Sequence, residues 1–178
     1  AAPWLFHITV GFLEADVHDP TAKSFDALLW RASPAPAWPR DDIKAVVAFA
    51  HEALSPRTSR GKTEYAFQLV RVACEANNNN RPALLDVGAA LATALDNHVG
   101  ALDLAEKLAT LWPVRGCIRA AHALRLLERY DEAKARLWHA RAHIAEDATS
   151  ELAAFRTELA ALAPHVLMHP WEAVDGTE

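Results

Sequence analysis

The tightest constraint on what this chain can fold into is a spacing that occurs twice. Small residues stand at Ala121, Ala133, Ala140 and Ala145, twelve, seven and five positions apart, around the phrase Glu128-Arg129-Tyr130-Asp131-Glu132. The same grid laid one repeat upstream falls on Ala89, Ala101, Leu108 and Pro113, with Leu95 standing where Leu127 stands before the turn. At a crossing of two antiparallel helices, a methyl-sized side chain lets the backbones come closer than a Leu would. The spacing therefore describes helical hairpins whose contact points recur.

The rest of the chain agrees with an all-α reading. Only 6 of 178 residues are Gly, and long stretches are rich in Ala, Leu, Glu and Arg, which favour helix. Asp41 or Asp42 is placed to cap a helix with apolar positions at Ile43, Val46, Val47, Ala50 and Leu54, ending near Ser55-Pro56. A second helix is expected over about residues 62–76, using Tyr65, Phe67, Leu69, Val70 and Val72 in some combination. The four asparagines 77–80 then stop it as a surface loop, because Asn accepts left-handed backbone angles. Further pairs fall at about 82–95 with 99–111 and 115–127 with 131–144, followed by a helix over 149–162 that Pro164 ends. The anchors Ala66, Ala101 and Ala133 are 35 and 32 positions apart.

These anchors and turns resemble the tetratricopeptide repeat, a family of stacked helix pairs with a period of about 34 residues. The resemblance is specific in the third pair and good in the second. It is weak in the first, where Leu54 takes the small-residue position and residues 55–61 lengthen the turn. It implies a TPR-like α-α superhelix, a right-handed solenoid of about three helix pairs plus a closing helix over residues 41–163. Residues 1–40 would form a Trp- and Pro-rich cap or linker, and 164–178 a tail. Helix pairs that are apolar on both broad faces must stack to hide them, and a curved stack has an inner wall. In the family that wall is made by the first helix of each pair. By position this points to Asp86, Ala90, Thr93 and Ala94, and then to Arg115, Ile118, Arg119, His122 and Arg125. The Lys and Asn clamp with which some relatives hold chaperone tails is not matched, since residues such as Asp86 and Ala90 occupy those places.

Within residues 1–40, a short helix capped by Thr21 or Ser24 runs through Phe25, Leu28 and Leu29, and the prolines of 33–39 demand an extended linker. Residues 6–12 fit a short strand and a buried helix equally well and stay unassigned. No basic start precedes the apolar opening, and Glu14 and Asp16 interrupt it, so neither a signal peptide nor a membrane span is expected.

Functionally, Arg115, Arg119 and His122 share one helix stripe, and with Arg125 they can hold a carboxylate through charge-assisted hydrogen bonds. The competing reading is a solvated basic face. The formal charge of −5, with no Lys/Arg block among aromatics, excludes a nucleic-acid binder as the expected class. Cys74 and Cys117 are isolated, which suits free thiols in a reducing, cytoplasmic setting. His139 and His143 are spaced like zinc ligands but lack the Glu of an HExxH motif, and Gly61-Lys62-Thr63 lacks the upstream glycine of a phosphate loop. No cofactor or metal is therefore expected. The expected function is a non-catalytic protein-protein interaction module that binds a peptide or partner helix, possibly acidic, in a concave groove. One alternative is a helical docking domain of a larger enzyme or secretion-related protein. Another is a small helical enzyme with a site among His122, His139 and His143.

Overall fold

The computed structural model describes residues 38–145 and 148–166. The expectations for residues 6–12, for the helix after Thr21 or Ser24 and for most of the proline linker and the tail lie outside the described residues. Every regular element described is helical: α1 Arg40–Ala53, α2 Arg60–Ala76, α3 Pro82–Ala94, α4 His98–Ala109, α5 Pro113–Leu126, α6 Tyr130–Arg141 and α7 Thr149–Leu162, with a 3-10 turn at Ala163–His165. The protein is all-α. It divides into two compact units, Ala1–Asp96 and Asn97–Glu178, so that α3 and α4, expected as one pair, belong to different units. No helix among the described residues is long and apolar enough to cross a membrane.

In the first unit α1, α2 and α3 pack on one another. Pro39 rather than an aspartate stands at the N-cap of α1; Asp41 and Asp42 occupy its first turn, where their charge meets the positive end of the helix dipole. Ser59 caps α2, its hydroxyl accepting the Lys62 backbone N–H at 3.4 Å. The buried Thr63 hydroxyl donates to the Ala53 carbonyl at 3.1 Å, which satisfies one of the acceptors left open where α1 ends. The core combines Val46, Ala50, Tyr65, Leu69 and Val70, with the Phe49 and Tyr65 rings edge to face at 6.0 Å. At the end of α2, Asn78 takes φ 52°, and the Asn79 N–H reaches back to the Cys74 carbonyl at 2.8 Å, closing a Schellman turn. The left-handed tolerance of the asparagine run is thus used for a helix stop.

In the second unit α5 is central, packing against α4, α6 and α7. The small-residue grid lies inside at Ala101, Leu108, Ala121, Ala133 and Ala140, whereas its last position in each register, Pro113 and Ala145, is exposed. Gly116 is a further small position, and its role is plain from what a side chain would meet: a Cβ there would stand 2.2 Å from the Ala109 backbone nitrogen, so α4 and α5 touch backbone to backbone. Leu124, Ala133, Leu137, Phe155, Leu159 and Leu162 form the core shared by α5, α6 and α7. The turn after α5 is again a Schellman motif, with Glu128 at φ 60° and the Arg129 N–H donating to the Leu124 carbonyl at 2.9 Å.

Candidate functional site

The helical period of α7 puts Phe155, Glu158, Leu159 and Leu162 on one stripe, and that stripe packs inward. A carboxylate among three apolar side chains must find a cation, because an unpaired buried charge is strongly unfavourable. Glu158, only 7% exposed, finds two on α5. Arg125 Nε donates to its Oε1 at 2.6 Å, and His122 Nδ1 lies 2.8 Å from its Oε2. Burial by itself would raise the Glu158 pKa, but the hydrogen bonds and charges of His122 and Arg125 outweigh it and hold the carboxyl below the ordinary value of 4.5.

Arg125 Nη2 also lies 3.2 Å from His122 Nδ1. A nitrogen cannot both give its proton to a carboxylate and accept one from a guanidinium in the same plane. The shorter contact, to a charged acceptor, decides: Nδ1 carries the hydrogen and donates to Glu158. The imidazole is thereby oriented by a buried carboxylate, and Nε2 is the ring nitrogen left to a ligand.

Beside this triad, α5 and α7 enclose a groove of about 270 Å³ whose lining includes Arg115, Ile118, Arg119, His122, Ala154 and Glu158. An adjoining cavity of about 450 Å³ shares Arg115 and Glu151 with it and is closed by Trp112, Pro113, Val114 and His143. The basic stripe thus has two duties. Arg115 and Arg119 line the groove, whereas Arg125 is committed to α7 and His122 takes part in both. Reversing Arg125 would therefore break the contact between α5 and α7 as well as change the charge near the groove.

The remaining expected wall residues lie in the first unit and behave differently. Asp86, expected to face a partner, is 5% exposed in a stretch of α3 that is buried from Leu84 through Ala89, so it is corrected to an interior residue. The Thr93 hydroxyl donates to the Ala89 carbonyl at 3.0 Å, one turn back on its own helix. Ala90 is half-buried and Ala94 exposed. The three histidines of the enzyme alternative are brought together in part: the His139 and His143 rings stack at 4.8 Å, His139 Nδ1 lies 3.5 Å from Cys117 Sγ, His143 donates Nδ1–H to the His139 carbonyl at 2.9 Å and lines the cavity beside the groove, and His122 serves Glu158. Burial raises the Cys117 pKa, with Glu106 adding to it against the charge of Arg136, so the thiol is kept protonated rather than activated. Among the described residues no three His, Cys, Asp or Glu side chains are grouped to hold a metal ion.

Trp112, Glu151 and Glu158 escaped the sequence reading: Glu158 is signalled by its position on the apolar stripe of α7, whereas Trp112, 45% exposed, carries no such signal. No family model matches the chain, and no curated protein or solved structure matches it either.

Proposed function

We propose that the second unit is a non-catalytic protein-binding module whose α5/α7 groove takes a peptide segment bearing a carboxylate. The observation that carries this reading is the groove itself. Arg115 and Arg119 line it, His122 is held ready by a buried glutamate, and Ile118 and Ala154 supply an apolar floor. A guanidinium group has five N–H donors, so Arg115 and Arg119 can take a ligand carboxylate in addition to the contacts they already make. The second unit we read as a TPR-like stack, on the strength of its buried small residues Ala101, Ala121, Ala133 and Ala140 and the left-handed turn residue Glu128. The free, buried thiols of Cys74 and Cys117 favour a reducing, cytoplasmic compartment. A second reading, a docking domain of a larger protein, is favoured by the exposed neighbours Leu111 and Trp112.

Selection from a random peptide library tests the first reading. The wild-type chain should enrich sequences containing Asp, Glu or a free C-terminus, and Arg115→Glu with Arg119→Glu should lose that enrichment. Equal enrichment by a reversed variant that melts at the wild-type temperature would remove the groove from consideration.

A further inference from the structure

We propose that this groove reads a spacing: an apolar or aromatic side chain lying against Trp112, and a carboxylate about three or four residues away at Arg119 and His122. The inference rests on the binding role argued above and adds to it the register of the ligand. Its basis is the run of the two cavities along α5. Both cavities have Arg115 and Glu151 in their linings, so a ligand lying along α5 has a track from one to the other past that pair.

The two ends of the track differ in chemistry. At one end the indole of Trp112 is nearly half exposed beside Pro113 and Val114, and a large ring left in that state offers a surface for an apolar side chain. At the other end Arg119 and His122 offer N–H donors, and the Glu158 contact at 2.8 Å fixes which nitrogen of His122 remains for the ligand. Between them Arg115 and Glu151 come from facing helices with opposite charge, a donor for the carbonyls and an acceptor for the N–H groups of an extended backbone.

The length of the track follows from helix geometry. Positions 119 and 122 lie roughly 10 to 15 Å along the α5 axis from position 112, at a rise of about 1.5 Å per residue. An extended peptide covers that in about three or four residues at roughly 3.3 Å each. Among the described residues, Glu151 and Glu158 already place carboxylates in the linings, which favours a monoanion over a phosphate dianion. The carboxylate therefore belongs to an Asp or Glu side chain or to a chain end, chemically equivalent sources that the track would hold alike.

Fluorescence anisotropy with the full 178-residue chain and labelled Gly-Ser peptides carrying one Trp and one Asp tests this. The peptides separate the two residues by about three or four positions, by none, or by about eight. A parallel set replaces Asp by a free C-terminus at the same distances, with amidated controls. Matched spacing should bind about tenfold or more tightly than either mismatch, a difference of about 1.4 kcal/mol. Trp112→Ala should erase the preference, and Trp112→Phe should largely restore it. Both sets should show the preference, since side-chain and terminal carboxylates are held alike. Equal affinity at all spacings, lost on reversal of Arg115 and Arg119, would overturn the spacing rule while leaving carboxylate binding in place. Absence of binding by every peptide would overturn both, and a preference that survives Trp112→Ala would refute the anchor.

Discussion

In the first unit, α1 meets α2 through side chains that fill space: the Phe49 and Tyr65 rings at 6.0 Å and the Thr63 hydroxyl on the Ala53 carbonyl. In the second, α4 meets α5 through the lack of a side chain, at Gly116 against the Ala109 backbone. The α5–α7 seam differs again, closing on a buried carboxylate between an arginine and a histidine. Rings can tilt and re-pack when a neighbour changes, but two backbones in contact have no slack. The charged contact within the α5–α7 seam, set beside the apolar core of Leu124, Phe155 and Leu159, contributes only while its charges persist. The second unit thus combines a backbone contact without slack with a pH-dependent one.

The contrast breaks first at glycine. Gly116→Ala should destabilise the protein by about 3 kcal/mol or more, because the added Cβ meets backbone that cannot rotate away and α4 must move as a body. Gly61→Ala in the first turn of α2 has open space around the new methyl group and should be neutral or stabilising by up to about 1 kcal/mol. Denaturant titration of both variants checks the pair, and comparable losses at the two sites would contradict the backbone contact.

The charged seam gives the next largest effect. Glu158→Gln keeps the shape but leaves the Arg125 guanidinium without its counter-charge. Removing one partner of a fully buried pair costs about 3 to 5 kcal/mol; the partial exposure of His122 and Arg125 lowers the expectation to about 1 to 3 kcal/mol. The sign with pH follows from the lowered Glu158 pKa. A carboxyl depressed in the folded state contributes stability that is present above its ordinary value of 4.5 and is lost as pH falls through the lower folded value. The wild-type melting temperature should therefore fall on acidification below about 4.5, and the Gln variant should fall less over the same window. Parallel acid limbs would show that the seam contributes no titrating stability.

How much of this could be read from the sequence depends on whether the physics is local. Ala121, Ala133 and Ala140 were legible because helix crossings repeat with the helical period, and all three are buried. The left-handed use of the asparagines was legible because it depends on residue type alone. Gly116 was not, since a glycine on a helix becomes meaningful only when the residue opposite is known, and whether Ala109 lies there depends on the angle at which the 110–112 turn joins α4 to α5. The stripe of Arg115, Arg119, His122 and Arg125 was correctly placed on one helix, but its division between groove and seam depends on Glu158, more than thirty residues away on α7. Asp86 shows the opposite error: position within a repeat suggested an open wall, while its apolar neighbours Leu84, Leu85 and Val87 already pointed inward.

The smallest expected effect compares the two Schellman turns. Both place a non-glycine residue in the left-handed region, Asn78 at φ 52° in the first unit and Glu128 at φ 60° in the second. Left-handed backbone costs an ordinary L-residue roughly 1 to 2 kcal/mol, and Asn pays less because its short amide relieves part of the conflict. Glycine removes the steric cost but adds conformational freedom to the unfolded chain, so only part of the difference is recovered. Glu128→Gly should accordingly raise stability by about 0.5 to 1 kcal/mol, and Asn78→Gly by less. Thermal melts of the two variants against wild type measure it directly. A larger gain at Asn78 would mean that the glutamate is held in its turn by something beyond the backbone, and the equivalence of the two turns would fail.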